Sequence, residues 1–449
     1  MTVVFFKKLP PGRAVIATLL LGFLFLPEPP AAFDFPLIPP LTKHTIPALS
    51  ALAMWYVLYS RDFNPLPRSP FTVGLLLLFI FSPVATAILN TAPVYWGEFY
   101  IQGMSIRDAI AFVIQQCLLV LPFLLARRFL AHAEDQRDLM VAFMIGGLVY
   151  SVPMLIEVRL SPQLNLWIYG YYQHDFIQTI RFGGFRPMVF LYHGLWAAFF
   201  LLMAIVAACA LWKTRAFKSN WKFLAIAVYL TGVLILAKSL GAWLFAAVLI
   251  PVILLFGMRW QMRLAVCIAA FAMTYPALKG AGLVPETRIL EFAESIDPDR
   301  AASLDFRFNN ENQLLERAQA KPFFGWGNYD RNQIMNPANG VIETITDGRW
   351  IILIGQLGWF GFLAEFGLLV TPIFFLWRET RYRDPGDYSL LIVPMSLLLA
   401  VNVFDMLPNA TLTPLTWLMA GALTGYAENL RDGRGAYQSS HRLAWRPVL

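Results

Sequence analysis

Residues 340–369 read GVIETITDGRWIILIGQLGWFGFLAEFGLL. The first third carries Glu343, Asp347 and Arg349, and the twenty residues after Arg349 carry one charge, Glu365. A spanning helix needs about 20 mostly apolar residues, so a span is expected over 353–377. Asp347 and Arg349 then sit at the water boundary. An Asp at that place is either a cap for the helix start or a general base beside a cationic site. Glu365 reads as a polar contact inside the bundle.

Upstream, 280–349 is the one long polar passage of the chain. It holds seven basic residues (Arg288, Arg300, Arg307, Arg317, Lys321, Arg331, Arg349) and eleven acidic ones, a net charge of −4. Connections of this length are usually functional. Two helices are expected in it, over 283–296 and 303–320, the second with Leu304, Phe308 and Leu315 on one face. Asp297-Pro298-Asp299 between them reads as a turn rather than as a metal-holding Asp-x-Asp. Arg307 and Glu311 are spaced as a helix-surface ion pair, which leaves Arg307 structural or functional. KPFFGWGNYDRNQ (321–333) follows, with Trp326 carried on a compact Gly325-Trp326-Gly327 turn.

The rest of the chain is apolar. It is 58% hydrophobic and 14% charged, where soluble domains hold about one-quarter charged residues. Further spans are expected at 13–30, 43–59, 71–92, 107–127, 138–159, 187–212, 222–237, 240–257, 262–279, 387–406 and 410–427, twelve in all. The first is read as uncleaved. Cys117, Cys209 and Cys267 lie in apolar stretches, so no disulfide framework is indicated, and no Cys/His metal spacing appears. With both termini and every second loop inside, 21 of the 35 Lys+Arg fall on the inner side, among them Arg13, Arg61, Arg68, Arg127, Lys218, Arg383, Arg434, Arg442 and Arg446. Leaving out the long loop, the split is 21 against 7, the bias that orients membrane proteins. The net +7 is thus topological and does not point to nucleic acid.

On the outer side, 159–187 reads RLSPQLNLWIYGYYQHDFIQTIRFGGFRP. Trp167, Tyr169, Tyr171 and Tyr172 fit an interfacial aromatic belt. Arg181 and Arg186 bracket Gly183-Gly184, which allow close backbone approach to a ligand. Two guanidiniums there suit phosphate oxygens, or else they snorkel to headgroups. His193 is expected about two turns inside the sixth span, as a functional ionisable group or a structural one. Lys238, after the seventh span, either binds an anionic head group or snorkels.

Four passages carry a resemblance: Arg-Phe-Gly-Gly-Phe-Arg-Pro (181–187), Lys-Ser-Leu-Gly-Ala (238–242), Arg307 with Lys-Pro-Phe-Phe-Gly-Trp-Gly (321–327), and Thr-Asp-Gly-Arg-Trp leading into Gln-Leu-Gly-Trp-Phe-Gly-Phe (346–362). In order and spacing the chain resembles the O-antigen ligase and O-antigen (exopolysaccharide) polymerase superfamily of bacterial inner-membrane proteins, over roughly residues 150–380. The resemblance implies an all-α polytopic protein of GT-C-like fold, with a large helical periplasmic loop between spans 9 and 10. Its segments would be spans 1–9 over 1–279 with an outer loop at 160–186, the loop 280–349, spans 10–12 over 350–430, and a cytoplasmic tail 431–449. It implies a metal-independent, cofactor-free glycosyltransferase that moves a glycan from an undecaprenyl-diphosphate carrier to an acceptor glycan at the periplasmic face. Both termini would be cytoplasmic, and a flippase and a chain-length regulator would be partners.

In that picture Arg186 and Arg307 hold the diphosphate, with Arg181 and Lys238 in support. Asp347 is the expected acceptor base, with Glu343 and His193 next in line, and Arg349 and Trp326 are expected at the substrate. Ligases of this family carry a His near the end of the long loop. This chain has none between 194 and 440, so a polymerase is expected before a ligase. A transporter or flippase is the rival class, but no repeat between 1–220 and 221–449 supports it.

Overall fold

The computed structural model describes residues 1–36, 38–59, 64–181, 183–217 and 220–433, with backbone alone at Asp299 and Arg300. Arg61, Phe182, Lys218, Arg434, Arg442 and Arg446 lie outside the described residues. A short α1 (Thr2–Lys8) leads into α2 (Pro11–Phe25), α3 (Ile46–Tyr59), α4 (Pro70–Ile88), α5 (Ile106–Phe129) and α6 (Ala133–Leu160). Then come α7 (Leu164–Tyr169), α8 (Gly194–Lys213), α9 (Trp221–Leu236), α10 (Leu240–Leu255) and α11 (Met258–Gly280). The long loop holds α12 (Glu286–Ile296) and α13 (Pro298–Gln319), and α14 (Arg349–Thr380), α15 (Ile392–Asp405) and α16 (Pro414–Arg431) close the chain.

Each apolar segment read from the sequence falls on a helix. Among the described residues six helices (α4, α5, α6, α8, α11, α14) are long and apolar enough to cross a membrane, and α2, α3, α9, α10 and α15 are shorter apolar helices. The chain is a membrane-embedded helical protein. The most enclosed of the six is α8, 89% buried over its apolar window. Its alanines let neighbours approach closely: Gly147 of α6 sits so near Ala204 that an added Cβ would lie 2.3 Å from that residue's own. Small residues serve this purpose where lipid removes the usual hydrophobic drive.

Charges gather at the two ends of the bundle. At one end Arg127 Nη2 meets Glu428 at 2.7 Å, Arg68 meets Asp432 at 2.8 Å, and Arg13 meets Asp138 at 2.6 Å. The connections at the other end carry three small hairpins that the all-helical expectation did not include: Phe33–Phe35 with Ile38–Leu41, Val94–Trp96 with Phe99–Ile101, and Ile180–Arg181 with Gly184–Phe185.

The expected straight span at 353–377 is broken. Gly358 inside α14 has φ 66° and ψ −166°, far from helical values. In one continuous helix Arg349 and Glu365 would be about 24 Å apart, yet Arg349 donates Nε–H to Glu365 Oε1 at 2.7 Å and Nη2–H to Oε2 at 2.5 Å. The two halves of α14 therefore fold back toward one another at Gly358.

The 321–327 turn fills this break. Trp326 N–H donates to the Gly355 carbonyl (2.8 Å) and Gly327 N–H to that of Gln356 (2.9 Å). In return Trp359 N–H donates to Pro322 (2.8 Å) and Phe360 N–H to Phe323 (3.2 Å). Backbone groups freed in a buried helix must find such partners. Only glycine fits where the two chains touch. A Cβ on Gly358 would lie 2.3 Å from the Phe323 backbone, and one on Gly325 would lie 2.4 Å from that of Gln356. The turn is tied further to α4 and to Asn90, two residues beyond its end, through Thr86 Oγ1 to Phe324 O (2.7 Å) and Asn90 Nδ2 to Gly325 O (3.0 Å).

Candidate functional site

The first group of cations is built where α8 begins. The 180–185 hairpin pairs Arg181 with Gly184. Arg186 follows and lays its stem across the helix start: a Cβ on Gly194 would meet Arg186 Cδ at 2.3 Å. The Arg186 backbone N–H donates to Thr179 O at 2.8 Å, and its Nη2 donates to Lys238 O at 3.4 Å. Its Nε and the hydroxyl of Ser239 beside Lys238 are buried and have no hydrogen-bond partner among the described residues. The Lys238 ammonium lies against Gly184, where a Cβ would come within 2.2 Å of it. Gly184 thus makes room for Lys238, whereas Gly183 faces open space.

Among the described residues neither Arg181 nor Arg186 has an ion-pair partner. Asp175 turns to the backbone N–H of Ile177 (3.0 Å). Glu157, buried at the end of α6, accepts from the N–H groups of Leu164, Met188 and Val189 at 3.1, 2.8 and 2.7 Å. Burial and the Arg181 charge push the Arg186 guanidinium down to about 10, which still leaves it charged at neutral pH. The N-terminus of α8 adds its own positive end.

His193 is not two turns inside a span. The helix starts one residue later, and His193 is its N-cap, with Nδ1 accepting from Leu195 N–H at 3.0 Å. The segment 187–193 runs as turns whose backbone N–H groups go to side chains: those of Met188 and Val189 to Glu157, that of Phe190 to the Tyr150 hydroxyl and that of Tyr192 to Glu28. Burial first, then the charges of Arg186, His174 and Arg181, push His193 down to about 3, so it is neutral. The aromatic belt also divides. Trp167 is exposed, but Tyr169 and Tyr171 turn inward and donate to the carbonyls of Phe25 and Glu28.

The second group lies where the long loop returns. Arg307 does not pair with Glu311. Its Nε is 3.3 Å from Asp347 Oδ2, both side chains 39% exposed. Glu311 instead faces Lys279 (3.4 Å) and the Tyr275 hydroxyl (3.3 Å). Asp347 does not cap α14, whose N-cap is Gly348. Arg349 donates its backbone N–H to Met406 O at 2.9 Å and gives its side chain to the fully buried Glu365, so its charge is already matched.

Two expected residues stand apart. Glu343 accepts from Asn336 Nδ2 at 2.8 Å on the loop surface. Trp326 donates its indole N–H to Arg317 O at 2.9 Å and lies under Arg317 and Lys321, at 4.3 and 4.5 Å from its ring centre. It belongs to the splice between loop and α14.

No hydrogen bond or ion pair joins Arg181 or Arg186 to Arg307 or Asp347 among the described residues. A cavity of about 640 Å³ is lined by Trp196 from the first turn of α8 and by Arg349 from the return, with neither Arg186 nor Arg307 in its lining. Its other wall is the 28–45 segment, which the sequence reading passed over as the end of one span and the start of the next. The signal available there was three ionisable residues, Glu28, Lys43 and His44, flanking a proline-rich stretch. No protein-family model matches this chain, and no curated protein is significantly similar to it.

Proposed function

We propose that this protein is a glycosyltransferase that lengthens a polysaccharide, taking each glycan from an undecaprenyl-diphosphate carrier and passing it to an acceptor glycan at the outer face of a bacterial inner membrane. One observation carries the reading. Arg186 is a largely buried guanidinium next to Arg181 and at a helix N-terminus, and among the described residues its Nε has no partner and no carboxylate balances it. Leaving such a charge uncompensated is costly, and the shape of the deficit suits a diphosphate. In glycosyl transfer the departing lipid diphosphate gathers negative charge, and fixed guanidiniums in a water-poor site stabilise it.

We read twelve crossings, with both termini and the Arg13–Arg68–Arg127 end cytoplasmic and the hairpins and long loop periplasmic. The charge bias supports this orientation. Arg307, held by Asp347, is the second guanidinium for the donor, and Lys238 and the neutral His193 line the first. Asp347, read from the sequence as the acceptor base, already neutralises Arg307. We assign it to keeping Arg307 in place until the donor arrives. The absence of a His in the long loop supports a polymerase over a ligase, and the clustering of cations at one end, away from the midplane, supports an enzyme over a transporter. A flippase and a chain-length regulator would act beside it. The test is binding of farnesyl diphosphate to the purified protein. Wild type should bind and Arg186→Ala should not. Equal binding by both would end the diphosphate reading.

A further inference from the structure

The cavity holds a second device, in the segment that follows α2. Glu28 is fully buried beyond the end of α2. His44 Nε2 lies 2.9 Å from Glu28 Oε2, and Lys43 Nζ lies 3.2 Å from Oε1. Tyr192 N–H donates to Oε1 at 3.0 Å, which ties the pair to the residue before His193. Lys43 is itself buried and donates to Phe190 O at 2.6 Å. Burial alone would raise the Glu28 carboxyl, but His44 and Lys43 hold it below its ordinary value, so it is ionised. A buried carboxylate on one ring nitrogen fixes the tautomer and leaves the other as a base. Here Nε2–H faces Glu28, and Nδ1 has no hydrogen bond among the described residues.

The ring is in the right place to use that nitrogen. His44 lines the cavity with Asp34, Thr42, Gln115, Trp196 and Arg349. Its ring packs edge-on to Trp196, with centroids 5.4 Å apart. Trp196 is one turn after His193, in the first turn of α8, ten residues on from Arg186. The volume of about 640 Å³ falls within the range of about 300–1,000 Å³ usual for small-ligand sites. Polar groups around indole faces suit a sugar, which offers hydroxyls at its edges and C–H groups on its faces.

We propose that this cavity takes the acceptor end of the glycan and that His44, oriented by Glu28, receives the proton of the acceptor hydroxyl. This rests on the glycosyl-transfer reading above. As the acceptor oxygen bonds to the anomeric carbon, its proton passes to His44 Nδ1. The bond from that carbon to the diphosphate oxygen breaks, and the leaving lipid diphosphate keeps the electron pair beside Arg186 and Arg181. Glu28 stabilises the imidazolium, which then releases its proton to water. Glu28 is a positioning residue in this scheme, and His44 is the catalytic one.

The test replaces the chain in polysaccharide-producing cells, whose membranes supply native donor and acceptor, and follows polymer formation beside farnesyl diphosphate binding by purified protein. His44→Gln should bind farnesyl diphosphate as wild type does and lose polymer formation by about 10²-fold or more. Glu28→Gln should lower kcat with donor KM unchanged. Polymer at the wild-type rate in His44→Gln overturns the proposal and leaves the reading standing. Failure of wild type to bind farnesyl diphosphate overturns both. If His44→Gln does not fold, His44→Ala with added imidazoles decides. Rescue that rises with the basicity of the imidazole supports the base, and no rescue overturns it.

Discussion

Arg349 and Glu365 are sixteen residues apart in one helical stretch, and their side chains meet in a two-bond fork at 2.7 and 2.5 Å. The fork is possible because α14 folds back at Gly358, and it keeps the two halves together. Glu365 is fully buried. Removing one member of a buried pair leaves the other uncompensated and costs about 3–5 kcal/mol. Glu365→Gln and Arg349→Met should each lower the melting temperature in detergent markedly. The double variant Arg349→Met with Glu365→Leu should recover much of the loss, since it leaves no buried charge. A double variant less stable than both singles would show that the fork does not carry this part of the fold.

The Arg307–Asp347 pair should behave in the opposite way. Both side chains are 39% exposed, and ion pairs of that kind contribute about 0–1 kcal/mol. Arg307→Ala should therefore melt like wild type yet form no polymer. Asp347→Asn separates two roles. As the keeper of Arg307 it should cost about tenfold in polymer formation, whereas loss of an acceptor base costs about 10²–10⁴-fold. A loss in the larger range, with His44→Gln still active, would return the base to Asp347.

The helices were legible in the sequence because lipid demands about 20 apolar residues and little else does. The site was legible in part. Arg181, Arg186 and Lys238 drew attention because charges at span mouths stand out against apolar surroundings, and the structure brings the three close together. Partner choice was not legible. Arg307 has Glu311 one turn away along its own helix, but the fold gives it Asp347, forty residues on, and Glu311 goes to Lys279. The break at Gly358 was also hidden, because glycine is common in membrane helices and the run 350–369 has a straight helix's composition. The Glu28–His44 pair was missed for a related reason. Its members flank a short connection, and only the folded hairpin brings them within 2.9 Å.

Gly358 and Gly325 should tolerate no side chain. Each has φ 66°, a positive-φ backbone that costs an L-residue about 1–3 kcal/mol, and each would drive a Cβ into backbone at 2.3–2.4 Å. Gly358→Ala should cost more than the left-handed strain alone and weaken the docking of the 321–327 turn. Limited proteolysis reads this directly, as faster cleavage near Lys321 in the variant. Gly282, also at positive φ (67°) but in open space, is the control. Gly282→Ala should cost the strain alone and leave the 321–327 turn protected. Equal cleavage near Lys321 in both variants would remove the splice as the reason for glycine at 358.

His193 supplies a pH test of the arginine cluster. Its ordinary value is 6.5, and in the fold it is pushed down to about 3 by burial and by Arg186, His174 and Arg181. Between those values the unfolded chain binds the proton and the folded chain does not, so stability rises with pH there. The protein should be fully stable with respect to this group above about pH 6.5 and lose stability as pH falls toward 3. Melting curves at pH 7.5 and 5 should show a larger acid loss for wild type than for His193→Asn, which keeps an N-cap acceptor without the titrating ring. Pyrophosphate should shrink the wild-type acid loss, because an anion beside Arg186 offsets the charges that keep the ring neutral. An acid loss that is the same in His193→Asn and indifferent to pyrophosphate would mean that no anion site adjoins His193.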